Sequence, residues 1–216
     1  MSYDAEATRQ RIFEAATAEF AEHGLAGARI ERIATAAKAN KQAIYLYFGG
    51  KEKLFGAVVR AKMEEICHAV AVDPHTLPES IGRLFDWYQE HPELIRLLMW
   101  EALESGDGPV VGEEARLAEY QQNIGDLSAT GVAEGSADRI RAAQDWMFTV
   151  LGLVTWNFAA PQLRRLILDE PDQKKALARR RAYVIELARN LLPAQPSQPA
   201  PPRRPWTHPD TPPRHR

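Results

Sequence analysis

The chain lacks the residues that staple small folds together. Of its 216 residues one is cysteine, Cys67, which excludes an internal disulfide and any zinc cluster built on several cysteines. Charge of one dominant sign is missing too. The 27 Lys/Arg and 29 Asp/Glu leave −2, which gives no global case for nucleic acid or an anionic membrane. No apolar signal-peptide core opens the sequence, so a cytoplasmic setting is the expectation. The uncharged run from Trp146 to Leu163 only reaches the lower length limit of a membrane span. It holds Thr149, Thr155, Asn157, Pro161 and Gln162, and a helix buried against other protein accounts for it. A Gly-rich phosphate cradle, a His-Glu metal motif and a nucleophile constellation are all absent, so an enzyme, a cofactor or a metal is not expected. Glu64 and His68 stand at i,i+4 spacing but have no third ligand in view.

What is present is helical periodicity. Alternating β-branched runs bounded by turns are missing, and the fold expected is all-α with about nine helices. Ile12, Phe13, Ala16 and Phe20 recur at helical spacing from about Asp4 until His23-Gly24. Short helices follow over about Ile30–Ala37 and Lys41–Tyr47, and Gly49-Gly50 ends the second. A long helix then runs from Lys51 to about Val72, before Asp73-Pro74. Thr76-Leu-Pro-Glu79 has capping-box spacing and opens further helices at about 78–90, 92–104, 112–130, 136–160 and 171–192. Nine of the fifteen prolines fall in residues 193–216, which predicts an extended Pro/Arg-rich tail. The expected organisation is a small three-helix unit over 1–50, a larger helical bundle over 51–192, and the tail over 193–216.

Basic charge is local, with Lys38, Lys41, Lys51 and Lys53 against Glu52 in the stretch 38–53. At about 100° per residue, Phe48 lies roughly 40° from Ile44, while Gln42, Tyr45 and Leu46 fall on the other side and Tyr47 at the margin. Ile44 and Phe48 therefore pack inward. Asn40 suits the N-cap of this helix. Two short helices joined by Lys38-Ala39-Asn40 and braced by a longer first helix form a helix-turn-helix, whose second helix fits the DNA major groove. Lys41 and Lys51 bracket that helix and suit phosphate; Gln42 can bond adenine bidentately and Leu46 can meet a thymine methyl.

These residues carry a resemblance. Residues 9–55, including "RIFEAATAEFAEHGLAGARIERIATAAKANKQAIYLYFGGKEKLF", resemble the DNA-binding region of the TetR (tetracycline repressor) family of bacterial transcription regulators. The resemblance implies DNA contacts from Arg29, Lys41, Gln42, Ala43, Tyr45, Leu46, Tyr47 and Lys51. Departures are Lys38 where the family commonly has glycine, Gly50 where a Ser or Asn cap is common, and Leu46 where a polar residue is frequent. "LVTWNFAAPQLRRLI" likewise resembles the end of a penultimate helix in some TetR-like C-terminal domains.

The resemblance further implies a homodimer on a palindromic double-stranded DNA operator, released by a small-molecule inducer, with 1–50 as the DNA-binding domain and 51–192 as the ligand-binding and dimerisation domain. Its interface candidates are Trp146, Leu153, Trp156 and Val184, with packing inside one subunit's core as the alternative for each. The inducer-cavity candidates are Trp87, Tyr88, Met99, Trp100 and Tyr120, each of which could equally be core. The alternative is a helical adaptor or small-molecule-binding protein without specific DNA binding. Arg179-Arg-Arg181 reads as a solvated helix face, with acidic partner contacts as the alternative.

Overall fold

A computed structural model describes residues 2–70, 76–133 and 136–191, without the side chains of 2–4. The Pro/Arg-rich tail, the Asp73-Pro74 stop and part of the Gly131–Gly135 connection lie outside the described residues. Among the described residues there are ten α-helices, one short 3-10 turn and no strand. They are α1 (Ser2–Gly27), α2 (Ile30–Ala36), α3 (Lys41–Phe48), α4 (Lys51–Ala69) and α5 (Leu77–Glu90). The chain continues with α6 (Pro92–Ser105), α7 (Glu113–Ser128), α8 (Arg139–Ala159), α9 (Pro161–Leu168) and α10 (Gln173–Asn190). The helix added to the expected count is α9. Pro161 breaks α8 and then starts a new helix, because proline needs no hydrogen-bonded N–H in a first turn.

The first helix buries Ile12, Ala16 and Phe20 completely, a stripe at i, i+4, i+8 that meets α2, α3 and α4. Phe20 sets its ring edge-on to Phe55 of α4 at 5.2 Å. Glycine is needed at the kink in α1. Gly24 has φ 68°, and a Cβ there would come within 2.6 Å of Glu104 Oε1 and 2.8 Å of the Trp100 ring.

The turn between α2 and α3 has a Schellman cap: Ala39 N–H donates to Ala34 O at 2.9 Å and Lys38 N–H to Thr35 O at 3.1 Å. Lys38 sits at the left-handed position with φ 50°, the conformation that a glycine would adopt without a side-chain penalty. Asn40 caps α3 by accepting from Gln42 N–H at 3.0 Å. Gly49, at φ 78°, closes the helix by donating to Tyr45 O.

Leu54, Phe55, Val58 and Val59 bury one face of α4 and carry the core from the first three helices into the bundle. α5 begins at its Thr76 N-cap, whose carbonyl receives Ser80 N–H, although the Thr76 side chain makes no cap bond. Arg181 of α10 holds Asp86 of α5 through two bonds of 2.7 and 2.8 Å, while Arg180 donates to Asn157 Oδ1 and lies over the Tyr183 ring. Those two arginines fasten α10 to α5 and α8. The reading of 179–181 as a merely solvated face is thereby corrected for both. No helix among the described residues is long and apolar enough to cross a membrane.

Candidate nucleic-acid interface and cavity

Ile44 anchors α3, with none of its surface exposed. One turn either way, the opposite face is open: Tyr45 is 51% exposed, Leu46 79%, and Gln42 is exposed as well. Ala43 and Tyr47 are half-buried at the flanks of that face. Phe48 packs against the core but is not sealed by it. The Arg9 guanidinium covers its ring at 5.8 Å.

Two of the cations around α3, Lys41 and Lys51, are held by the protein itself. Lys41 pairs with Glu31 of α2, an exposed contact that raises the lysine pKa and lowers that of the carboxylate through their hydrogen bond. Lys51, half-buried at the start of α4, reaches Ala28 O at 3.3 Å and Ala26 O at 3.5 Å. Arg29 is exposed at the N-cap of α2.

Glu19 of α1 sets the position of α2 by accepting from Arg29 N–H at 2.8 Å and from Arg32 Nε at 2.7 Å. Burial pushes the Glu19 carboxyl up. The Arg32 hydrogen bond and charge, with the Arg29 N–H, outweigh that and hold it below its ordinary range. Sequence reasoning missed both Glu19 and Glu31, since acidic residues on neighbouring helices carry no motif.

A cavity of about 360 Å³ lies between α4, α5, α6, α7 and α8. Of the aromatic candidates, Tyr88 and Tyr120 line it. Burial pushes both phenols up. Trp87 is instead buried against the Tyr88 ring and the His91 ring, outside the cavity wall. Met99 and Trp100 face a separate surface groove between α6, α8 and α9. Helical spacing alone could not show which flank of α6 turned inward; Leu94 and Leu98 do.

The other flank of α6 grips α1. Arg96 Nε donates to Ala21 O at 2.7 Å, Trp100 Nε1 donates to the same carbonyl at 3.3 Å, and Ala26 N–H donates to Glu104 Oε1 at 3.0 Å. One rigid helix thus forms part of the cavity wall and holds the helix that braces α2 and α3.

One of the four interface candidates needs correction. Val184 is fully buried in the core, so it cannot meet a second copy. Trp146 lines the cavity, with its Nε1 buried and without a hydrogen-bond partner. Leu153 is half-buried against the core, and Trp156 is 59% exposed. Sequence reasoning missed Phe148, which is 83% exposed and two turns before Trp156 on α8. Its signal was an i,i+8 aromatic pair inside an uncharged run.

An all-helical chain that buries Ile44 beneath an open, N-capped second helix of a helix-turn-helix has the architecture of a DNA-binding regulator. Residues 12–58 match the family model for bacterial regulatory proteins of the tetR family, and residues 76–190 match the tetracyclin repressor-like C-terminal domain. The HTH-type transcriptional repressor SCO4008 of Streptomyces coelicolor is 42% identical over 169 residues, covering 78% of this chain and 88% of that protein. The repressor NicS of Pseudomonas putida is 39% identical over 109 residues, 47% of this chain and 51% of that one. The crystal structure of the transcriptional regulator SCO4942 of S. coelicolor overlays with a TM-score of 0.68 at 29% identity, covering 87% of this chain and 99% of that one. The chain belongs to the TetR family of transcription regulators, and it is a regulator rather than an enzyme.

Proposed function

We propose that the protein is a repressor that binds a two-fold symmetric DNA operator as a homodimer and is released when a small molecule fills the cavity. The observation that carries the DNA reading is the open face of α3, whose Gln42, Tyr45 and Leu46 have no role in the core. In that reading Gln42 and Leu46 choose bases, with Ala43 allowing close approach. Tyr45 and Tyr47 place rings and hydroxyls on the backbone, and Arg29, Lys41 and Lys51 meet phosphate. Lys41 then exchanges the Glu31 carboxylate for a phosphate. Residues 1–50 form the reading unit and 51–192 the regulatory domain.

The exposed side of α8 supports pairing of two copies. Phe148, Gly152 and Trp156 follow one another along it at four-residue spacing, and among the described residues no other element lies within 4 Å of a Cβ built at Gly152. Tyr183 of α10 is half-exposed as well. Such a face is costly in water and gains by meeting its own copy about a two-fold axis. Two subunits also place two recognition helices on successive major grooves, which one short helix cannot do.

Release follows from α6. A molecule in the cavity bears on Leu94 and Leu98, and the opposite flank of the same helix carries α1 through Arg96, Trp100 and Glu104. A ligand that favours a different setting of α6 favours a different spacing of the two recognition helices, which is coupling by differential affinity. Analytical ultracentrifugation with DNA titrations tests the assembly. Phe148→Ser with Trp156→Ser is expected to give monomers that lose at least about a hundredfold in affinity for a two-half-site duplex. A variant that stays dimeric, or a monomer that binds as tightly, would contradict it.

A further inference from the structure

The cavity has an uneven chemistry, and resting on its reading as the inducer site, we propose that the molecule it takes is a lipophilic cation. The ammonium head sits at the mouth against Asp126, beside Asn123 and Tyr120, and the apolar body lies inside.

The interior is apolar. Leu77, Ile81, Leu94, Leu127 and Val150 are buried lining residues, which suit a hydrocarbon or flat aromatic body. The exposed lining residues Cys67, Asn123 and Asp126 mark the mouth. Among the described lining residues, Asp126 alone carries a charge. Its carboxylate accepts from Gln122 Nε2 at 3.2 and 3.4 Å, a neutral donor that leaves the negative charge in place.

The surroundings add to that sign. Glu119 and Glu64 stand near enough to Cys67 to reinforce the upward push that burial gives its thiol, while Asn123 bonds it. The cations of the neighbouring helices are already engaged: Arg116 with Glu101, Lys62 with Glu65 and Glu93, and Arg60 with Glu64. Arg139 keeps its charge, since its partners are the neutral carbonyls of Ser128 and Thr130, but it does not form the cavity wall. Arg83 bonds Ser80 Oγ at 2.7 Å but does not itself form the wall. A carboxylate or phosphate head would meet Asp126 with no opposite charge from the described wall. An ammonium would gain Asp126 and the nearby aromatic rings of Tyr120 and Trp146, which line the cavity.

Calorimetric titration with decyltrimethylammonium, decanol and decanoate, each below its micelle concentration, separates charge from chain. The ammonium is expected to bind at least about tenfold more tightly than decanoate, with decanol between them. Asp126→Asn should shrink that ratio to about threefold or less and leave decanol unchanged, while Leu98→Trp, which fills the cavity, should remove all three. Decanoate binding as tightly as the ammonium, or an unchanged ratio in Asp126→Asn, would overturn the cation. In that case decanol binding that is lost in Leu98→Trp would still uphold the cavity as a ligand site. Failure of all three probes, or binding that survives Leu98→Trp, would remove the cation and the inducer site together.

Discussion

Replacing Arg116 by methionine should unfold the helical bundle that contains α6 and α7 well below its normal temperature. Arg116 of α7 and Glu101 of α6 form a bidentate pair, with Nη1–Oε2 at 2.8 Å and Nη2–Oε1 at 3.1 Å. Both side chains are more than nine-tenths buried. Methionine fills most of the volume but leaves the Glu101 carboxylate buried with no counter-charge. Breaking a buried pair in this way costs about 3–5 kcal/mol, which for a chain of this size lowers Tm by roughly 6–20 °C. The pair itself contributes far less, since removing two charges from water offsets much of their attraction. Arg116→Met with Glu101→Leu is therefore expected to recover to within about 1–2 kcal/mol of the parent. Differential scanning calorimetry on the parent, both single variants and the double variant gives the full cycle. A single variant within about 2 °C of the parent, or a double variant as unstable as Arg116→Met, would refute the reasoning.

Two further outcomes follow from the same geometry. Glu19 has its folded pKa lowered, so the stability it gives α2 is complete above the ordinary carboxylate range and is lost as pH falls through the folded value. Amide exchange of α2 should accelerate below about pH 4 in the parent, and Glu19→Gln should lose most of that pH dependence. At Gly56 an added Cβ would stand 2.1 Å from Val111 Cγ1, so Gly56→Ala must displace the segment before α7. We expect a loss of about 1–3 kcal/mol in chemical denaturation, relieved by Val111→Ala.

The parts legible in the sequence are those where one short-range rule dominates. Asn40 followed by an apolar residue four positions on, then Gly49-Gly50, specifies both ends of α3 and its buried side. Lys38 stands where the family commonly has glycine, and its φ of 50° is the left-handed backbone that a glycine adopts without penalty. Residues whose role depends on packing between distant helices were not legible. Val184 and Phe148 are both large and apolar on long helices, yet one is sealed in the core and the other stands in the open. Periodicity places a stripe on a helix, but it does not say which of two stripes meets the chain itself and which is left over. The cavity shows the same limit. Trp100 is as aromatic as Tyr120, but α6 turns Trp100 towards α1 and Leu98 towards the cavity.

Selection from random duplexes shows whether the open face of α3 reads DNA. The parent protein is expected to enrich a two-fold symmetric sequence with half-sites about one helical turn, or a multiple of it, apart. Gln42→Ala should relax the preference at one position in each half-site. Tyr47→Ala with Lys51→Ala should weaken binding to all sequences alike and flatten its salt dependence. No enriched sequence from the parent, or the same sequence bound equally well by these variants, would contradict the account.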